Sequence, residues 1–217
     1  MNRPLIEAAE RIQDKVFLGG PLKIFESAGR NQFILLLKYG LNPHSKVLDI
    51  GCGCLRGGYW LIRFLDPGRY FGIEPNMDML EAGKQEILGD EILNTKKPRF
   101  DSNDQFDYAV FGESNFDFFL CGSIWTHAPK IQIQAMLERF SEFRSDGAVF
   151  LTSYIRTEHE KDDYMGNKWV GRSHASDQPG LIKHRLESIK EMAGEHSLTV
   201  RPLAPRIFGR VSWLAIE

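Results

Sequence analysis

Asp49-Ile50-Gly51-Cys52-Gly53 and, 25 positions after Asp49, Glu74 are the residues of this chain whose types and spacing best suit ligand chemistry. Glycines at a strand-to-helix turn let the backbone approach a ligand closely and adopt positive φ. An acidic residue just ahead of such a turn is unwelcome to a pyrophosphate and welcome to a ligand with cationic groups. Glu74 stands close to the spacing at which a carboxylate reaches ribose hydroxyls in nucleoside-binding βαβ units, where it can accept both hydroxyl protons. The pair points to a phosphate-free, positively charged nucleoside ligand.

The flanking elements must place these groups. Lys46 to Ile50 reads as a buried strand, Leu55 to Phe64 as a helix closed by Asp66-Pro67-Gly68, and Arg69 to Ile73 as a second strand ending in Glu74. Asn76 is suited to cap the next helix, whose apolar face begins at Met77, Leu80 and Ala82. Two strands joined through a helix run parallel with a right-handed crossover. Two amphipathic helices precede them, one over Pro4 to Phe17 and one carrying Phe33, Leu36 and Leu37 up to Gly40. Further on, a short strand is expected at Arg99 to Asp101, a clear one at Phe116 to Gly122 and another at Ala148 to Ser153. A helix after Pro129 carries Ile133, Met136, Leu137, Phe140 and Phe143. Residues Arg156 to Gly180 have loop composition, Ile182, Leu186, Ile189 and Met192 mark a last helix, and strands follow near Leu198 to Val200 and Val211 to Ile216.

Val47 to Gly53 together with Tyr70-Phe71-Gly72-Ile73-Glu74-Pro75-Asn76 resembles the class I S-adenosylmethionine-dependent methyltransferases, and Phe118 to Pro129 resembles their fourth strand and following loop. The resemblance implies a Rossmann-like α/β fold with N-terminal helices and a seven-stranded sheet of order 3-2-1-4-5-7-6, strand seven antiparallel. It implies S-adenosylmethionine as cofactor across the C-terminal ends of strands one and two. Asp49, Gly51, Cys52 and Gly53 belong to the turn beside the methionine portion, Glu74 to the ribose, and Pro75 or Asn76 to the adenine edge. Asn103-Asp104 matches the adenine-amino contact, although Asp104 equally reads as one of three solvated loop acids with Asp101 and Asp107. Ser123 and Ile124 would face the cofactor or the acceptor. His127, in the loop after strand four, reads either as a general base or as a packed histidine that braces the loop, and the bracing role is favoured. Leu55 stands where many members have a third glycine, with Gly57 and Gly58 following.

With 217 residues and a formal net charge of -2, the chain suits one domain and lacks the basic excess of a nonspecific nucleic-acid binder. The expected organisation is N-terminal helices over 1–45, a cofactor-binding core over 46–155 and a loop, helix and final strands over 156–217. No apolar run has signal-peptide or membrane-spanning character, so a cytoplasmic protein is expected. Cys52, Cys54 and Cys121 fit neither a disulfide framework nor a zinc site, and no metal is expected. The leading expectation is a methyltransferase acting on a small molecule at oxygen or nitrogen. A catalytically silent cofactor-binding protein is the alternative. A nicotinamide-dependent oxidoreductase is disfavoured by Asp49 and by the missing glycine at Leu55 or Arg56.

Overall fold

The computed structural model describes residues 3–171, 176, 179–208 and 211–217, with backbone alone for 204–208. In chain order the helices are α1 (Arg3–Gln13), α2 (Phe25–Lys38), α3 (Gly58–Phe64), α4 (Met77–Gly83), α5 (Gly89–Lys96), α6 (Lys130–Phe143) and α7 (Leu186–Gly194). The strands are β1 (Val47–Ile50), β2 (Tyr70–Ile73), β3 (Arg99–Asp101), β4 (Phe116–Cys121), β5 (Arg144–Tyr154), β6 (Arg156–Thr157), β7 (His184–Arg185), β8 (Val200–Phe208) and β9 (Val211–Ile216). Seven of them form one sheet in the order β3-β2-β1-β4-β5-β9-β8, while β6 and β7 make a separate two-stranded ladder. With that small ladder left out of the count, the order is the expected 3-2-1-4-5-7-6. The last strand, β9, pairs antiparallel with β5 and with β8. This is a mostly parallel Rossmann-like α/β sheet. The chain separates into two compact units, Met1–Gln105 and Phe106–Glu217.

In the first unit β1 and β2 pair in parallel, Asp49 opposite Gly72 and Ile50 opposite Ile73, and β2 pairs with β3, Ile73 opposite Asp101. Every residue of β1 and β2 is buried, as expected of parallel strands covered on both faces. Helix α1 contributes Leu5, Ala8, Ala9 and Ile12 to the core. It stops at Gln13, short of the predicted Phe17, and a turn leads on to Gly19-Gly20. Helix α3 begins at Gly58, three residues later than predicted, because Leu55 adopts φ +60 and the chain turns there before it can wind.

Two helical glycines, unremarked by periodicity, hold the turn after β1 in place. A Cβ on Gly29 of α2 would overlap the Arg56 carbonyl, and one on Gly83 of α4 would stand 2.8 Å from the Cys54 carbonyl carbon. Both helices therefore touch the backbone of the turn directly, which no residue with a side chain allows.

The second unit is built on an aromatic core. Phe119 of β4 has ring neighbours in Tyr108, Phe116, Phe140 and Phe150 at centroid separations of 4.9 to 6.0 Å. Helix α6 buries Ile133, Met136, Leu137 and Phe140 of the predicted face, while Phe143 at its end is half-buried. Strand β5 is longer than predicted, running from Arg144 directly out of α6. The predicted loop from Arg156 to Gly180 carries β6 and a 3-10 turn at Glu160–Asp162, and 172–175, 177 and 178 of it lie outside the described residues. Ile182, read from its spacing as the start of the last helix, lies outside it: α7 begins at Leu186. The helical spacing at Ile182 is coincidental, since its N–H donates to the Thr126 carbonyl at 2.9 Å and Lys183 bridges to Asp163.

Candidate functional site

Glu74 is the best-held of the predicted site residues. It ends β2, is 6% exposed, and both its oxygens are occupied by backbone donors: Gly53 N–H donates to Oε2 at 2.9 Å and Asn76 N–H to Oε1 at 2.8 Å. The carboxylate is thereby fixed between the turn after β1 and the start of α4. Each oxygen keeps a second lone pair for a further donor. Burial raises the Glu74 pKa, and the two backbone donors pull it back. Asn76 caps α4 as predicted, its Oδ1 accepting from Met79 N–H at 3.2 Å.

The turn itself is shaped for close approach. Gly51 (φ +70) and Gly53 (φ +54) lie in the left-handed region, and a Cβ on Gly53 would stand 3.3 Å from the Met79 methyl and 4.0 Å from Glu74 Oε2. Gly51 N–H and Cys52 N–H donate to the Ile73 carbonyl at 2.8 and 3.1 Å, which ties the turn to the end of β2. The Cys52 thiol faces away from this backbone, toward the core, 3.0 Å from where a Cβ on Gly72 would stand.

Asp49 is 4% exposed, and its Oδ2 accepts from the Tyr70 hydroxyl at 2.7 Å. Burial pushes its pKa up to about 7, opposed by the Tyr70 hydrogen bond and by the positive charge of Arg56, while Glu74 adds to the rise. Tyr70 and Arg56 are thus members of this cluster to which the sequence reading gave no role. The available signal was a tyrosine, with its hydroxyl, opening the otherwise apolar strand Phe71-Gly72-Ile73, and an arginine inside a glycine turn.

At the end of β3, Glu74 N–H donates to the Asp101 carbonyl at 3.0 Å. Asp101 Oδ1 accepts from both the backbone N–H and the side-chain amide of Asn103, at 2.8 and 2.7 Å. Asn103 is therefore half-buried and fixed beside the Glu74 strand end. Asp104 stands apart, exposed, with its Oδ1 accepting from Gln105 at 2.7 Å. Pro75 is exposed between Glu74 and Asn76.

The remaining predicted residues belong to the second unit. Ser123, at φ +67, donates its backbone N–H to Ser153 Oγ at 2.7 Å, and its carbonyl accepts from the Thr126 hydroxyl at 2.7 Å. The next residues are held from outside the loop, three successive carbonyls each with a donor. Thr126 O accepts from Ile182 N–H at 2.9 Å, His127 O from Val170 N–H at 3.0 Å, and Ala128 O lies 3.1 Å from His184 Nε2.

His127 Nδ1 is 2.6 Å from the Val170 carbonyl, which can only accept, so Nδ1 carries the proton. A Cβ on Gly171 (φ +123) would overlap the imidazole. Burial lowers the His127 pKa, and the Val170 bond offsets part of that. The segment that does the holding is anchored in turn by Asp163. Its Oδ2 accepts from Lys130 Nζ at 2.6 Å and Ser188 Oγ at 2.8 Å, and its Oδ1 from Arg185 N–H at 3.1 Å. Against the burial that would raise it, these donors bring the Asp163 pKa below its usual value.

No family model and no curated protein matches this sequence. Solved structures do match. Magnesium protoporphyrin IX methyltransferase (ChlM) from Synechocystis PCC 6803, solved with bound S-adenosylmethionine, superposes with a TM-score of 0.63 at 14% identity, over 97% of this chain and 89% of that one. DhpI, in a complex described as DhpI-SAM-HEP, gives a TM-score of 0.63 at 14% identity over 100% of this chain and 99% of that one. An O-methyltransferase family protein from Burkholderia thailandensis gives 0.59 at 10% identity, over 88% of this chain and 56% of that one. The chain has the fold of the class I S-adenosylmethionine-dependent methyltransferases.

Proposed function

We propose that the chain is an S-adenosylmethionine-dependent methyltransferase acting at oxygen or nitrogen of a small molecule. The observation that carries this reading is the placement of Glu74, whose oxygens are each fixed by one backbone N–H and each retain a lone pair for a ribose hydroxyl. The donor set fits the cofactor: buried carboxylates at Asp49 and Glu74 suit a cationic nucleoside and repel a phosphate-bearing one. When bound, the cofactor supplies an electrophilic methyl carbon on its sulfonium. On this reading Glu74 orients the ribose, the Gly51-Cys52-Gly53 backbone lies along the methionine portion, and Pro75 and Asn76 border the adenine. Asn103, held by Asp101, is better placed than exposed Asp104 to serve the adenine amino group.

Methyl transfer is an in-line displacement, so the protein chiefly holds acceptor and methyl carbon at attack distance in a dry site. A base is required only for a weakly acidic, protonated acceptor. The bond from His127 Nδ1 to the Val170 carbonyl supports a positioning role for this residue, bracing the loop after β4.

Calorimetry and thermal shift with S-adenosylhomocysteine, S-adenosylmethionine and NADH test the proposal. Binding to the native state alone stabilises by about 2.7 kcal/mol at a ligand concentration one hundred times Kd, so either adenosyl compound is expected to raise Tm. Binding of NADH with no heat or shift from the adenosyl compounds would overturn it. Transfer of a labelled methyl group into small molecules of a cell extract then tests the acceptor class; label confined to macromolecules would overturn that part.

A further inference from the structure

Strand β7 stands outside the seven-stranded sheet, paired with the two residues of β6, Arg156 opposite His184 and Thr157 opposite Arg185. Its His184 is fully buried and reaches the loop after β4, where Nε2 lies 3.1 Å from the Ala128 carbonyl. A carbonyl can only accept, so Nε2 carries the proton of the neutral ring and Nδ1 is left a bare acceptor. Among the described residues that Nδ1 has no hydrogen-bond partner, and it lies 3.8 Å from Asp163 Oδ1, itself an acceptor. The ring is thus enclosed with one polar atom unsatisfied.

A second proton would not settle it. Asp163 attracts the charge, yet its Oδ2 already accepts from Lys130 and Ser188 and its Oδ1 from Arg185 N–H. The Lys130 ammonium of α6 repels it, and burial removes its water. Asp163 and Lys130 are the charged groups that act on the ring among the described residues, and although the Ala128 and Trp125 main chain favours the charged form, the balance lowers the His184 pKa. An opened β7 returns the ring to water, where it charges at its ordinary value of 6.5. Opening therefore takes up a proton that the closed state resists.

We propose that His184 is a proton-operated latch, which when neutral fastens β7 to the loop after β4 and when protonated lets that loop go while the seven-stranded sheet stays intact. Besides the β6 ladder, the main-chain bonds given up are Ile182 N–H to the Thr126 carbonyl and His184 N–H to the Ile155 carbonyl, each 2.9 Å and neither within that sheet. The latch is independent of which ligand the protein binds. On the proposed function it sets how firmly the acceptor side of the site is held.

Hydrogen exchange reads the latch without a ligand. Protection at the Ile182 and His184 amides is taken as a ratio to that of amides in β4 and β5, at pH ~7 and ~5.5. For the wild-type protein the ratio is expected to fall about three- to eightfold on acidification, roughly eightfold being the limit for one histidine of ordinary pKa 6.5 that charges only when open. His184→Gln keeps a neutral donor near the Nε2 position and cannot titrate, so its ratio should hold within about twofold. A wild-type ratio that does not move, whether β7 holds or the sheet loses protection in step with it, would overturn the proposal. So would an equal fall in His184→Gln. If that variant does not fold, nitrogen NMR of the wild-type imidazole carries the same comparison: the Nε2–H tautomer at neutral pH and proton uptake in step with loss of Ile182 protection are expected, and a ring that charges while Ile182 stays protected would overturn the latch.

Discussion

On the proposed function, Glu74 is a side chain with both a structural and a chemical role. Its oxygens close the β1 turn onto the start of α4 through Gly53 and Asn76, and each keeps a lone pair for a further donor. Glu74→Ala is expected to weaken S-adenosylhomocysteine by about 1.5 to 3 kcal/mol and to lower Tm in the absence of ligand, because two backbone donors lose their acceptor. Glu74→Gln keeps one carbonyl oxygen but sets an amide N–H against a backbone N–H, and should lie between the two. Calorimetry on the folded variants decides it; unchanged affinity for Glu74→Ala would place the ribose elsewhere. The pairing of Asp49 with Glu74 was legible in the sequence because strand ends and glycine turns have strong local signatures. Tyr70 and Arg56 were not, since a hydroxyl reaching Asp49 across two strands and a guanidinium under Gly20 depend on register and on packing between elements remote in sequence.

Among the elements, the segment from Arg156 to Arg185 behaves unlike a free loop. Its described residues donate to the carbonyls of Thr126, His127 and Ala128, and Asp163 fastens it to Lys130 and Ser188. Asp163→Ala would leave the Lys130 ammonium without its closest partner, and a loss of about 1 to 3 kcal/mol in stability is expected from breaking this part-buried pair. Hydrogen exchange at the Val170 and Ile182 amides should quicken in that variant. Exchange unchanged at both amides would mean that the clasp on the β4 loop does not depend on Asp163. His127→Ala removes the Nδ1 bond to the Val170 carbonyl but keeps the main-chain carbonyls that accept from Val170 and Ile182, so exchange should quicken modestly at the Val170 amide, whose peptide loses that anchor, and stay slow at that of Ile182. Composition identified this stretch as irregular, which its backbone largely is. Its partners were illegible, because acids such as Asp163 look like surface charge until their donors from α6 and α7 are brought beside them.

At the scale of the whole chain, the two units carry titrating groups of opposite sense. Asp49 in the first has its pKa raised by burial to about 7, so the native state takes up this proton more readily than the unfolded chain. That contribution favours folding as pH falls from about 7 toward 3.8, the ordinary carboxyl value. His127 and His184 in the second are buried and have lowered pKa values, so the unfolded chain binds their protons first, and stability is lost as pH falls through 6.5. On acidification from pH ~7.5 to ~5.5, the Tm of Asp49→Asn is therefore expected to fall further than that of wild type, and that of His184→Asn to fall less. Calorimetric melts at the two pH values give the slopes directly, and three parallel slopes would contradict this assignment. Among the described residues no helix is long and apolar enough to cross a membrane, and no group of three or more His, Cys, Asp or Glu could hold a metal ion.

The burial of the three cysteines has a practical corollary. Cys52, Cys54 and Cys121 are 6, 2 and 0% exposed, and burial raises Cys54 to about 12 and Cys52 well above its usual value. Thiolate is the reactive form and all three thiols are buried, so the folded protein should be nearly inert to alkylating reagents and peroxide, with all three cysteines labelled only in denaturant. Mass spectrometry after brief iodoacetamide treatment checks this, and rapid native labelling of any one of them would refute it. A cysteine introduced at an exposed position such as Glu10 would then be the one accessible thiol, so a thiol-reactive fluorophore could be attached there without first removing the native cysteines.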